Sequence, residues 1–260
     1  MGSGIVGLNL AGKQAVFADL NPYTVAFYQQ LQTGEITSRI VRAYLEEQAP
    51  KLRDGGIEYY YAVREKFNQA HNPLDFLFLN RACFNGMIRF NRKGAFNVPF
   101  GHKPERFAKA YITKIVNQVA AVENRMKISD WLFVCQPFEK TIAMAKGDDF
   151  IYCDPPYIGR HVDYFDNWDE NDEQLLHDRL SASGCRFMVS TWHHNKYRTN
   201  PYVDTLWSNC HMVCHDHFYH IGAKEQNRNP MVEALLTNYP IERPAEVKQE
   251  ATPRQLELCI

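Results

Sequence analysis

Two consecutive prolines directly after a short apolar run constrain this chain more than any other feature. Phe150-Ile-Tyr-Cys153 reads as a strand, and it runs straight into Asp154-Pro155-Pro156-Tyr157. Each proline locks φ and removes a backbone donor, so the strand ends here and the turn's carbonyls cannot be drawn into a helix. A carboxylate and a proline carbonyl then stand at a strand end as two fixed acceptors. Two acceptors suit the two hydrogens of an exocyclic amino group, and Tyr157 offers a face on which a flat base stacks, worth ~1–3 kcal/mol. Such an amine is a weak nucleophile because its lone pair is delocalised into the ring. Two acceptors draw it toward a tetrahedral geometry, so catalysis would come from positioning and electrostatics. The competing reading is a rigid turn with a core tyrosine, and a short motif alone does not separate the two.

The rest of the chain alternates strands and helices. Ala15–Ala18 is a short strand ending at Asp19, followed by Asn21-Pro22 and a helix to about Leu31. Strand, acid, helix is the βα unit of a parallel sheet. Residues 36–72 carry two helical patterns split by Asp54-Gly55-Gly56, and Pro73 opens another helix. From 85 to 107, Gly86, Gly94, Pro99, Gly101 and Pro104 interrupt the helical period among aromatic and basic residues, which predicts a β-hairpin or exposed loop. Then come a helix near Ala108–Asn124, a strand Trp131–Cys135, a helix near Glu170–Leu180 stopped by Gly184, a strand Arg186–Ser190 and a strand pair over 211–219 and 231–238. The polar tail beyond Pro240 is expected to fray. The sum is an α/β sheet with a basic insertion at roughly 35–107. Gly2-Ser3-Gly4 adds a second signal: a Gly-rich turn admits a ligand to the backbone, and an acid closing the next strand, Asp19, can accept both hydroxyls of a ribose.

Composition bounds what such a fold does. With 260 residues, 45% hydrophobic and 13% aromatic, the chain builds a full core and is not mainly disordered. No run approaches 18 uncharged apolar residues, so no membrane span is expected. Seven cysteines do not look like a secreted disulfide framework. The opening segment lacks a basic stretch, and Val6 breaks the myristoylation pattern, so a cytoplasmic protein is expected. The net charge of −1 conceals an uneven distribution. Leu77–Gln118 holds eight basic residues against Glu105 alone, whereas Glu139–Asp178 holds eleven acids against Lys140, Lys146 and Arg160. Such a contrast is either two solvated faces or a polyanion-binding surface beside a site that handles a cation.

Taken together, these residues resemble the Dam-like family of DNA adenine-N6 methyltransferases, alpha group, over about residues 2–239. Gly2-Ser3-Gly4-Ile-Val is similar to the end of the family's cofactor loop, and Val16-Phe-Ala-Asp19-Leu-Asn21 to its ribose-binding strand end. Phe84-Asn85-Gly86-Met87-Ile88-Arg89-Phe90-Asn91 and Gly94-Ala-Phe96-Asn97-Val-Pro99-Phe100-Gly101 resemble its target-recognition hairpin. Asp154-Pro-Pro-Tyr157 resembles its catalytic motif, and Asp163-Tyr164-Phe-Asp-Asn-Trp168 the loop that follows. The resemblance implies a Rossmann-like, S-adenosylmethionine-dependent catalytic domain over 1–34 and 108–240, a helical and hairpin DNA-recognition domain over 35–107, and a disordered tail over 241–260. It implies methyl transfer to N6 of adenine in a short double-stranded sequence, GATC as the first guess, with the base flipped into the Asp154–Tyr157 pocket.

Residue by residue, the resemblance gives the cofactor to Gly2, Ser3, Gly4, Asp19, Gln136, Phe138 and Asp154, and catalysis to Asp154, Pro155, Pro156 and Tyr157. Arg89 would read a guanine edge, Met87 and Pro99 would touch neighbouring bases, and Arg92, Lys93, Lys103 and Arg106 would contact phosphates. Asn85, Asn91 and Asn97 complete the DNA-binding set. Gln136 stands where the family often has an acid. The family's opening Gly-Gly-Lys segment has no counterpart here, so the first sheet strand is expected to be missing. A monomer is expected, with a cognate restriction endonuclease acting separately. The competing functions are an N4-cytosine methyltransferase, which needs a similar motif, and a catalytically inactive DNA-binding module.

Cys210-His211, Cys214-His215-Asp216-His217 and His220 have tolerable zinc spacing, but a strand with outward histidines explains them as well, and no metal is expected. His193-His194 is read as a surface loop, with a strand end facing the cleft as the alternative. No cysteine sits in a nucleophile context, which disfavours covalent cytosine-C5 chemistry.

Overall fold

The computed structural model describes residues 1–91, 93–159, 168–218 and 230–241. Arg92, the Asp163–Asn167 part of the expected loop, His220 and the tail beyond 241 lie outside the described residues. The chain divides into two compact units, one over Met1–Gln136 and one beginning at Pro137.

The first unit is built on two strands, β1 (Gln14–Asp19) and β2 (Asp130–Cys135), paired in parallel with Gln14 opposite Asp130 and Asp19 opposite Cys135. Alternation sends Phe17, Trp131 and Phe133 to one face, where Phe17 stacks on Phe133 at 4.8 Å and meets Trp131 edge-on at 5.1 Å. Helix α1 (Ile5–Leu10) precedes β1. Helix α2 (Pro22–Thr33) starts where Asn21 caps the amides of Tyr23 and Thr24, has Pro22 at its first position, and stops at Gly34, φ 81°. Its Tyr28 stacks on Phe133, and Gln29 and Gln32 donate to the carbonyls of Phe133 and Trp131.

Helix α3 (Ser38–Ala70) runs through the expected Asp54-Gly55-Gly56 break, which survives as one non-helical residue, Gly56 at φ 52°, ψ −129°. Helices α4 (Pro73–Ala82) and α5 (Lys109–Lys127) pack with α3 in a core that also holds Phe90, Phe96 and Phe100. Burial pushes the Cys83 thiol up to about 12 and raises the Tyr28 and Tyr60 phenols as well. These groups are protonated in both states at neutral pH. Above about pH 9 the unfolded chain ionises first, so their stabilisation is present below that pH and is lost toward pH 12. The urea midpoint measured at pH 11 is expected to fall below that at pH 8; equal midpoints would contradict this.

The second unit holds α6 (Phe138–Ile142), β3 (Phe150–Cys153), α7 (Glu170–Ser183), β4 (Arg186–Asn195), α8 (Pro201–Asp204), β5 (His211–Phe218) and β6 (Pro230–Thr237). Its sheet has the order β3-β4-β6-β5, with β3 and β4 parallel and the β4–β6 and β5–β6 pairs antiparallel. Asp169 and Asp172 form a reciprocal capping box at the start of α7, and Gly184, φ 69°, ends it. Buried Glu173 accepts the indole N–H groups of Trp168 at 2.6 Å and Trp207 at 2.9 Å. Strand β4 is longer than expected: His193 and His194 belong to it, and its register with β6 shifts between Trp192 and His194. Among the described residues no helix is long and apolar enough to cross a membrane.

Candidate active site

In the second unit the parallel register sets Cys153 at the end of β3 opposite Val189 on β4. The next residues on each strand, Asp154 and Ser190, therefore meet, and the Ser190 hydroxyl donates to Asp154 Oδ1 at 2.6 Å. The Tyr152 hydroxyl donates in turn to Ser190 Oγ at 3.4 Å. Burial, and then the Asp154 carboxylate, push the Tyr152 phenol above its usual range, so it stays a donor at neutral pH. Tyr157 donates its hydroxyl to Glu233 Oε1 on β6 at 3.1 Å.

The turn is also pinned at its far end. Trp192 Nε1 donates to the Ile158 carbonyl at 2.9 Å, and Arg198, lying 4.9 Å over the Trp192 ring, donates to the Gly159 carbonyl at 2.7 Å. Around Asp154 and Tyr157 opens a cavity of about 380 Å³, lined also by Tyr152, Ser190, Val213, His215 and Glu233. Its size falls in the range of small-ligand sites, and its walls combine a carboxylate, a hydroxyl and an aromatic ring.

Sequence reasoning missed Ser190, His215 and Glu233 as parts of this cavity. Glu233 had a readable signal, a lone acid inside the apolar run Met231-Val-Glu-Ala-Leu-Leu236. Ser190 had none, because no periodicity tells which strand will lie beside β3. The cysteines and histidines weighed as zinc ligands sit mainly on β5, with His211, His215 and His217 exposed. Among the described residues no group of three or more His, Cys, Asp or Glu side chains could hold a metal ion.

In the first unit, Gly2, Asp19 and Gln136 come together. Asp19 Oδ2 accepts from Gly2 N at 2.7 Å and lies 3.2 Å from the Met1 amino group, Oδ1 accepts from Asn21 N at 2.8 Å, and Gln136 N donates to the Asp19 carbonyl at 3.2 Å. Gly2 and Gly4 have φ of 55° and 75°, and Tyr28 holds the turn by donating to the Ser3 carbonyl at 2.6 Å. A carboxylate offers about four lone-pair sites, so Asp19 Oδ1 keeps room for a hydroxyl donor. Such an acceptor suits the hydroxyls of a ribose, the one in S-adenosylmethionine included. Phe138, in the second unit, packs on Trp168 with ring centroids 5.5 Å apart.

Residues 84–101 form a tight, hairpin-like excursion held to α3. Phe90 bridges Phe96 and Cys83 bridges Phe100, both antiparallel. Asn68 brackets Phe96 by bonding both its amide and its carbonyl, and Tyr60 donates to the Val98 carbonyl. Asn91 supports the tip by accepting the amides of Lys93 and Ala95. Arg89 donates through Nε to Asn97 Oδ1 at 2.8 Å and through Nη2 to the Asn97 carbonyl at 3.3 Å. Asn85 takes φ 53°, Met87 packs against the core, and the exposed Pro99 accepts from Phe84 N through its carbonyl. Arg106 ties to the Cys83 carbonyl, whereas Lys93 and Lys103 are exposed.

Against this geometry stand the comparisons with known proteins. The family model for D12 class N6 adenine-specific DNA methyltransferases matches residues 1–225. A DNA adenine methylase of Vibrio cholerae is 35% identical over 163 residues, 60% of this chain and 54% of that protein. The Escherichia coli K12 DNA adenine methylase is 32% identical over 161 residues, again 60% of this chain and 54% of its own length. The type II methyltransferase M.FokI of Planomicrobium okeanokoites is 27% identical over 245 residues, 90% of this chain and 37% of that protein. The chain thus matches about half the length of the DNA adenine methylases it resembles.

Proposed function

Because the chain belongs to the D12 class N6 adenine-specific DNA methyltransferase family, we propose that it transfers a methyl group from S-adenosylmethionine to N6 of adenine in double-stranded DNA. The observation that carries this reading is the Asp154 carboxylate, set by Ser190 at the mouth of a cavity walled by Tyr157. In this reading the target base flips out of the duplex and stacks on Tyr157. Asp154 and the Pro155 carbonyl accept the two hydrogens of its amine, which frees the nitrogen lone pair along the line of attack. When bound, S-adenosylmethionine supplies an electrophilic methyl carbon on a sulfonium sulfur. Asp19, with Gly2 and Gly4 beside it, holds the ribose, and Gln136 assists.

Residues 35–107 act as the recognition segment, with Lys93, Lys103, Arg92 and Arg106 on phosphates and GATC as the first target to try. Two of the relatives are named as a type II methyltransferase and a modification methylase, which supports a modification role beside a separate endonuclease. The test is transfer of labelled methyl from S-adenosylmethionine to duplexes with and without GATC, followed by nucleoside mass spectrometry. N6-methyladenine supports the reading. N4-methylcytosine, or DNA binding without transfer, overturns it in favour of the two competing functions.

Arg89 supplies a sharper check. Its guanidinium is already oriented by Asn97, so it reaches a guanine edge with little ordering cost. Arg89→Ala is expected to weaken binding to the target duplex by about 1–3 kcal/mol and to leave non-specific binding nearly unchanged. An equal loss on both duplexes would make Arg89 a phosphate contact instead.

A further inference from the structure

We propose that Ser190 is a positioning residue that divides the labour between the two oxygens of Asp154, an inference that rests on the methyl-transfer reading above. The Ser190 hydroxyl has one hydrogen, and it goes to Asp154 Oδ1 at 2.6 Å. Its oxygen lone pairs then face the Tyr152 hydroxyl, which donates to it at 3.4 Å. The direction of the chain is therefore fixed: Tyr152 to Ser190 to Asp154. Oδ2 accepts no hydrogen bond from any described residue, and Asp154 lines the cavity, so Oδ2 is the oxygen left for the incoming amine.

A carboxylate at a strand end rotates readily about χ2, a broad two-fold torsion. With neither oxygen held, it would present the amine with a spread of acceptor directions. A misplacement on the scale of 1 Å costs up to about 10²-fold in rate. Ser190 and Tyr152 both sit on sheet strands, β4 and β3, paired by backbone bonds, so the brace is rigid where a loop residue would not be.

The expected effect of Ser190→Ala is a kcat about 30-fold lower, with KM for S-adenosylmethionine and for the duplex within about twofold of wild type. Ser190→Thr keeps the hydroxyl on a strand that tolerates β-branching, and it restores kcat to within about threefold. Tyr152→Phe lowers kcat about threefold in the wild-type background and has no effect in the Ser190→Ala background, because its bond acts only through the serine. Additive losses in the double variant, or a Thr variant as slow as the Ala variant, would overturn the proposal. Crystal structures of wild type and Ser190→Ala give a readout that needs no turnover. The Asp154 carboxylate is expected to be rotated or split between orientations in the variant, and an unchanged, fully ordered carboxylate overturns the proposal. If wild type itself transfers no methyl group, the function reading fails, and the carboxylate orientation still decides the role of Ser190.

Discussion

Asp154→Ala is expected to lower kcat for methyl transfer by about 10³-fold, the scale on which loss of a single preorganised electrostatic contact acts. The side chain is exposed at the mouth of its cavity and, among the described residues, accepts a hydrogen bond from Ser190 alone, so its removal leaves no buried described group unsatisfied. The melting temperature should therefore move little while the rate collapses. Asp154→Asn separates charge from shape. Ser190 would keep its acceptor by bonding the amide oxygen, which turns the NH₂ toward the target amine, donor against donor. The Asn variant should accordingly be nearly as slow as the Ala variant. The measurement is single-turnover transfer of labelled methyl to a GATC duplex, beside a thermal melt. A rate above a tenth of wild type in either variant would show that Asp154 is not the acceptor for the amine.

Gly101→Ala should unsettle the excursion that follows α4. A Cβ at Gly101 would lie 2.5 Å from the Cys83 carbonyl oxygen, 2.9 Å from its carbon and 3.1 Å from the Ala82 oxygen, all backbone atoms. Backbone cannot rotate away as a side-chain tip can. Relief requires the end of α4 and the returning chain at Phe100–Gly101 to part, which breaks the bond from Gly101 N to Ala82 O and the bridge between Cys83 and Phe100. The cost is about 3 kcal/mol, a fall of roughly 6–12 °C in melting temperature for a chain of this size. Affinity for duplex DNA should fall with it, because Arg89 and Lys93 are carried on the same excursion. A melting temperature within 2 °C of wild type, about the shift of a 1 kcal/mol loss, would show that the segment gives way without resistance.

Much of this arrangement was legible residue by residue. The strand–acid–helix pattern around Asp19, the capping of α2 by Asn21 and Pro22, and the stop of α7 at Gly184 are local, and local chemistry writes them into the sequence. The Asp-Pro-Pro-Tyr turn was equally plain, since two prolines leave the backbone few choices. Helix α1 was not marked, because Ile5–Leu10 is too short to show a period. The strand carrying His193 and His194 ran past its expected end because pairing with β6 continues beyond a register shift, a tertiary effect. Ser190, His215 and Glu233 join the cavity only through strand adjacency, and adjacency depends on where the chain crosses over.

The parallel pairing of β1 with β2 has a consequence for how the protein is made. Gln14 finds its partner at Asp130, so more than a hundred residues separate the two strands of this sheet. A newly synthesised chain that has emerged only as far as α4 carries Phe17 with neither Trp131 nor Phe133 to cover it. Helices α3 and α4, by contrast, are neighbours in the chain and pack together directly. Ordering should thus begin in the middle of the first unit and close around β1 last, so that during translation this strand is the stretch most in need of a chaperone.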